Sequence, residues 1–203
     1  MDTLAGLLDG PRARGAFLLR ILLDPPWSVR LSDESPLSVT AVVRGHLWVC
    51  LDSAEPIRLE AGDVVVRVGT EHWSIADDPA TPTHIVIHPG QLCTTVDGHP
   101  VVEEMSQGVR SWGNSAIGET VLLTGVYEVE GEVSRRLLRA LPELLVLRAD
   151  ELDTPLVDLL ATEVVRDAPG QEAVLDRLLD LLLITLLRTW FEDRKSTRLN
   201  SSH

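Results

Sequence analysis

Val43-Arg44-Gly45-His46-Leu47-Trp48-Val49-Cys50-Leu51, then Pro56-Ile57-Arg58-Leu59-Glu60-Ala61-Gly62-Asp63-Val64-Val65-Val66, then His72: residues 43–72 decide the fold. Two strand-length apolar runs flank Gly45 and predict a hairpin. The polar residues 52–56 form an excursion. Gly62-Asp63 suits a tight turn, because Gly accepts positive φ and an Asp carboxylate can bond nearby backbone N–H groups. Val64-Val65-Val66 does not alternate with polar residues, so the strand after the turn is expected to be buried.

Working outward, the first two-thirds of the chain has the same texture. Phe17–Leu23, Ser38–Val43, Leu47–Leu51, Val64–Val68, His84–Ile87 and Val121–Val129 are short and rich in Val, Ile or Leu. Asp24-Pro25-Pro26, Asp77-Asp78-Pro79 and His88-Pro89-Gly90 break the chain between them. That spacing predicts a sandwich or barrel. No long helix separates the strands, which argues against a parallel α/β fold.

The last third changes period. Ser134–Leu141 predicts a short helix ending at Pro142, and Glu143–Arg148 a strand or extended linker. Thr154-Pro155 resembles an N-cap with Pro at the first helical position, opening a helix to about Ala168. Gln171–Arg194 is the longest predicted helix. Leu178, Leu182, Leu186 and Trp190 repeat at helical spacing along it. Leu181, Leu183, Ile184 and Leu187 widen the apolar surface beyond one stripe, so this helix serves either the chain's own core or a second subunit. Lys195–His203 is polar and Ser-rich, and is expected to be a disordered tail resembling translated sequencing adapter. On that basis the natural protein is expected to continue past Arg194. The expected organisation is therefore a β-barrel over 1–130, a helical packing and dimerisation segment over 131–194, and a foreign tail over 195–203.

Composition bounds the function. The chain has 203 residues, 44% of them hydrophobic but only 4% aromatic, and a formal net charge of −13. Affinity for nucleic acid comes largely from Lys and Arg displacing counterions, so these residues alone are not expected to bind DNA or RNA. Two cysteines, Cys50 and Cys93, make no disulfide framework, and the N-terminus lacks a signal-peptide pattern. The most apolar stretch, Leu178–Leu187, is far short of the roughly 20 residues that cross a bilayer. The expectation is a cytoplasmic protein without a membrane partner.

The glycine at 45, the Leu59-x-Ala61-Gly62-Asp63 motif, the strand that follows and His72 resemble the cupin signature. More of the chain, roughly Met1–Arg194, resembles the cupin-like N-terminal domain of AraC-type transcription regulators. Ile75-Ala76-Asp77-Asp78-Pro79, Leu122-Leu123-Thr124-Gly125-Val126-Tyr127, Leu137-Leu138-Arg139-Ala140-Leu141-Pro142 and the closing Leu-rich helix carry this second resemblance. It implies a mainly β, cupin-like barrel or double-stranded sandwich packed with a helical segment. It also implies an effector-sensing and dimerisation domain, and a homodimer. Two helix-turn-helix motifs follow such domains, and nothing in this chain resembles them.

Metal cupins hold their ion with three imidazoles and a carboxylate. Here Leu31–Ser38 contains no histidine, and Ser38 stands at the carboxylate's position. His72 matches the fourth ligand, but its spacing from Gly62 is one residue short and Val68 replaces the usual Pro. Such a set does not suit a transition metal, so no cofactor is expected. His84 and His88, on a strand, would lie about 13 Å apart, too far to share an ion. His99 sits in a surface-turn sequence. No G-x-S-x-G, phosphate loop or dinucleotide fingerprint occurs.

By analogy with cupins that ligate metal, the face carrying His46, Trp48 and Cys50 is expected to point inward. Trp48 with His46 and His72 would then wall a pocket for a small-molecule effector; alternatively Trp48 simply fills the barrel. Trp27, Trp73 and Trp112 are open to the same two readings, packing being the commoner for a Trp near a turn, and Cys50 and Cys93 are expected to be core residues. Two functions follow: a sensing and dimerisation module, or a stand-alone cupin isomerase or dioxygenase. The absent His-x-His favours the first.

Overall fold

The computed structural model describes residues 17–127 and 137–200, with the backbone alone for Phe17 and 194–200. Twelve strands and two helices are described. They are β1 Phe17–Leu23, β2 Ser28–Leu31, β3 Leu37–Arg44, β4 His46–Leu51, β5 Ile57–Glu60, β6 Val64–Val68, β7 Trp73–Ala76, β8 Ile85–His88, β9 Leu92–Thr95, β10 Ser111–Gly113, β11 Thr120–Tyr127 and β12 Leu144–Leu147, with α1 Leu156–Glu163 and α2 Gln171–Asn200. The strands form two six-stranded sheets, ordered β10-β1-β11-β3-β6-β12 and β5-β4-β7-β2-β8-β9. Pairing is antiparallel except for β1 with β10 and β2 with β8.

The structure has three layers. One apolar cluster lies between the sheets and includes Ile21, Val42, Leu47, Val49, Val65 and Leu122. A second joins the first sheet to the helices, with Val39, Val66 and Leu123 against Leu160, Leu182 and Leu186. The first sheet is therefore covered on both faces. This is why β6 is buried along its whole length and reads as an unbroken apolar run. Such runs mark strands without a solvent face. The architecture is the expected one, a double-stranded sandwich rather than a closed barrel.

The Gly62-Asp63 turn acts at longer range than its sequence suggested. Gly62 has φ +92, and a Cβ there would stand 2.7 Å from that of Ala149. The buried Asp63 carboxylate accepts from the Glu60 N–H at 3.0 Å and the Ala149 N–H at 2.9 Å, and pairs with Arg148 Nη1 at 2.8 Å. One side chain thus closes its own turn and clasps the segment leaving β12.

The helical layer departs from expectation in three places. α1 stops at Glu163 rather than near Ala168. The Gln171 amide, from the first turn of α2, donates to the terminal carbonyls of Glu163 and Val164 at 2.9 and 3.3 Å and closes that end. α2 runs on to Asn200, so the backbone is helical through most of the segment expected to be a disordered tail; Arg, Lys and Leu are good helix formers, and 201–203 lie outside the described residues. Leu182 and Leu186, read as serving either the chain's own core or a second subunit, are fully buried in the chain's own core. Leu178 and Trp190 pack partly against that core. The wide apolar surface is wide because the helix sits in a groove between the first sheet and α1. Of the short helix expected over 134–141, residues 137–140 are helical and the earlier ones lie outside the described residues, as do the last two of the strand expected to reach Val129.

Candidate functional site

Between the sheets the side chains leave a cavity of about 300 Å³. Its walls are built from alternate strand residues, the pairs that a pleated strand turns to one face. Leu19 and Ile21 come from β1, Ser38 and Thr40 from β3, Thr124 and Val126 from β11. The second sheet contributes Val29 and Leu31 of β2, Trp73 and Ile75 of β7, and Ile87 and Cys93. Trp112 of β10 adds a second indole. The rim comes from connecting segments and includes Asp33, Gln91, Val102, Ser106 and Arg110.

The wall is mainly apolar, with a row of hydroxyls on β3 and β11 and the Ser111 hydroxyl of β10, which donates to the Val109 carbonyl at 3.0 Å. Thr40 and Thr124 face each other in register, and their Oγ1 atoms are 3.1 Å apart. Ser38 lies two residues along β3 on the same face. It is only 8% exposed, and its hydroxyl has no hydrogen-bond partner among the described residues. The buried Trp112 Nε1–H also lacks an acceptor among the described residues. Burial pushes the Cys93 thiol pKa up, so at neutral pH this group is a weak S–H donor rather than a nucleophile. The carboxylate of Asp33 and the guanidinium of Arg110, of opposite sign, are the rim's charges.

The residues expected to form the pocket are elsewhere. In β4 it is Leu47 and Val49 that enter the core between the sheets, while His46, Trp48 and Cys50 take the outer face and are half-buried. The inward face was therefore assigned to the wrong parity. The chain crosses from one sheet to the other at Gly45, φ +75, and that crossing sets which side chains of β4 turn inward. His46 Nε2 lies 3.2 Å from the Asp77 carbonyl, tying β4 to the loop after β7. His72 is exposed in the β6–β7 connection. None of the three lines the cavity. Conversely Trp73 and Trp112, open to either reading, are cavity walls as well as core. The available signal was Ser38, Thr40 and Thr124: small hydroxyls at inward positions of otherwise bulky strands leave room.

A metal does not fit these residues. Ser38, at the position of the carboxylate ligand, does face the cavity, but its neighbours there are threonines and aliphatics. His72 lies outside. Among the described residues no three His, Cys, Asp or Glu side chains are grouped so that they could hold an ion. Neutral hydroxyls do not replace the imidazoles such a site needs.

Solved structures that resemble the chain include ToxT of Vibrio cholerae. An apo Lys-to-Ala variant of that protein aligns at a TM-score of 0.46 and 8% identity, over 94% of this chain and 59% of that one. Another ToxT structure aligns at 0.38 and 6% identity, over 85% and 54%. The chain thus spans less than two thirds of the length of those proteins. No curated protein sequence matches it. The sequence profile of the cupins matches residues 2–192. A match over nearly the whole length, on two facing sheets joined through Gly45 and the Gly62-Asp63 turn, makes the chain a member of the cupin family.

Proposed function

We propose that the chain is the effector-sensing domain of an AraC-type transcription regulator, and that its effector is a small molecule held between the two sheets. The observation that carries this is the cavity: an apolar space with a row of hydroxyls set into one wall. Ligand sites are typically of this kind, mostly apolar with a few placed polar groups. A volume of about 300 Å³ is at the small end of the usual range. The resemblance of Ile75–Pro79, Leu122–Tyr127 and the closing helix to AraC-type sensing domains supplies the regulatory context. Arg110 offers a route for the signal. It stands on the cavity rim and also lines a surface depression whose other side is formed by Gly170, Gln171 and Ala173 at the start of α2.

In this function DNA is read by helix-turn-helix segments other than the sheets and helices described here. The twofold contact such a regulator uses on paired half-sites would be built on Val174 and Leu181. These α2 side chains are about half exposed and lie seven positions apart on one face. The alternative expectation, a stand-alone cupin isomerase or dioxygenase, has less support, since neutral hydroxyls occupy the cavity wall where metal cupins carry ligands. Elemental analysis of purified protein should find well under one iron, manganese or zinc per chain. One tightly held metal per chain would restore the enzyme reading.

The sensing function is tested by thermal unfolding against a panel of small molecules, using wild-type protein and the cavity-filling variant Ser38→Phe. A ligand at a hundred times its Kd stabilises the folded state by about 2.7 kcal/mol, which a melting curve resolves. The expected result is a saturable rise in Tm for wild-type protein that Ser38→Phe abolishes. It should be accompanied by a change in tryptophan emission, because Trp73 and Trp112 form the walls. If every compound acts equally on both proteins, sensing through this cavity is wrong.

A further inference from the structure

We infer that the cavity selects an uncharged, mainly apolar molecule with one carbonyl or hydroxyl oxygen, held by Ser38, Thr40 and Thr124. This rests on the sensing function proposed above and specifies the ligand's chemistry.

The argument starts from hydrogen-bond accounting. The mutual contact of Thr40 and Thr124 at 3.1 Å uses one of their two hydroxyl hydrogens and leaves the other for a third oxygen. Ser38 follows on the same face of β3, about 7 Å along the strand, with a hydroxyl that has no partner among the described residues. It is nine-tenths buried in a wall of the cavity. A ligand oxygen at this row gives that hydroxyl, which lines the cavity, an acceptor. Facing it are the side chains of Val29, Ile75 and Ile87, which can contact only an apolar body, and the Trp73 ring.

Charge accounting narrows the class. An anion needs a basic group deep in the wall, and a cation an acidic one. The lining charges, Asp33 and Arg110, are confined to the rim and oppose each other in sign. The nearest buried guanidinium in register with Ser38 is Arg67. Its Nη atoms are committed to Glu143 Oε1 at 2.8 Å, to the carbonyls of Glu143 and Glu71 at 3.1 and 3.2 Å, and to that of Val68, and its Nε–H, without a partner among the described residues, does not line the cavity. Cys93 is held as a neutral thiol by its burial. Moving an uncompensated ion into such a wall is strongly unfavourable. A polyol is excluded on the same grounds, since most of its hydroxyls would meet Leu, Ile, Val and Trp.

The test uses four compounds sharing one diphenyl frame: benzophenone, diphenylmethane, diphenylacetate and benzhydrylamine, the last a cation at neutral pH. Binding to the full chain is followed by thermal shift and by protection of Cys93 from iodoacetamide in a Cys50→Ser background. Benzophenone is expected to bind at least tenfold more tightly than the hydrocarbon and than either ion. Ser38→Ala should cut its affinity three- to tenfold while leaving diphenylmethane unchanged. Thr124→Val, which keeps shape and removes a hydroxyl, gives an independent check should Ser38→Ala alter folding. If an ion binds better than the ketone, or if both variants keep the ketone's full advantage, the ligand class is wrong while the sensing function stands. If none of the four compounds binds or protects Cys93, the ligand class is wrong, and the sensing function is decided separately by the compound panel with Ser38→Phe.

Discussion

Replacing Asp63 by Ala removes a clasp whose strength can be worked out from its contacts. The carboxylate accepts two backbone N–H groups, from Glu60 at 3.0 Å and Ala149 at 2.9 Å, and one guanidinium, from Arg148 at 2.8 Å. Hydrogen bonds to a charged group contribute about 1.5–3 kcal/mol each. The two backbone bonds lie in a site where Asp63 itself is 5% exposed, so the lower end of that range, taken twice, is a reasonable minimum. The Arg148 side chain is 45% exposed, and an ion pair wetted to that degree contributes only about 0–1 kcal/mol. Asp63→Ala should therefore destabilise the fold by roughly 3–4 kcal/mol, and Arg148→Ala by about 1 kcal/mol or less. Urea unfolding at neutral pH measures both. With a typical slope of about 1–3 kcal/mol per molar, the Asp63→Ala midpoint should fall by roughly 1–4 M. Asp63→Asn should lie near Ala, because an amide presents a donor to one of three donors. A loss below about 1 kcal/mol for Asp63→Ala, or one equal to that of Arg148→Ala, would refute the clasp.

Four further outcomes are expected. Gly125→Val should destabilise the domain, because even a Cβ at this position would come within 2.7 Å of Leu179 on α2; a melting temperature equal to wild type would show that the helix can lift without loss. Leu186→Ala should cost about 2–5 kcal/mol, the usual range for a fully buried leucine, measured by the same urea titration. Leu181→Asp should leave the fold intact and shift sedimentation toward monomer, whereas Leu186→Asp should unfold the domain; unchanged sedimentation at high micromolar concentration for Leu181→Asp removes that face from the dimer. Finally, alkylation of Cys93 in a Cys50→Ser background should have its pH midpoint above that of an exposed thiol, because burial disfavours the thiolate. The sign follows: a pKa raised on folding favours the fold at lower pH, and this contribution is lost as pH rises through the folded value. A midpoint at or below that of a free thiol would contradict the burial.

The sequence alone determined the architecture. Phe17–Leu23 and Val64–Val68 are strands with the boundaries read from their apolar runs, because Gly, Pro and Asp mark turns by local backbone preference. The same local chemistry made Gly62-Asp63 a turn. Weak strands escaped notice. β10 is three residues long and holds its place through pairing with β1, a partner distant in sequence.

Tertiary structure decided what each face meets. Period-two alternation puts His46, Trp48 and Cys50 on one side of β4 but cannot say which side is inside; the crossing at Gly45 and the arrival of β7 did. Period 3.6 showed that α2 has a broad apolar surface, and only the groove between the first sheet and α1 showed that Leu182 and Leu186 fill it from within the same chain. The cavity lay furthest from sequence. An empty space has no residue of its own, and Ser38, Thr40, Thr124, Trp73 and Trp112 come from four strands whose side chains meet only when the two sheets close face to face. Local preference acts through the backbone next door and is written in the sequence; a shared volume depends on distances between segments, which no single stretch of sequence carries.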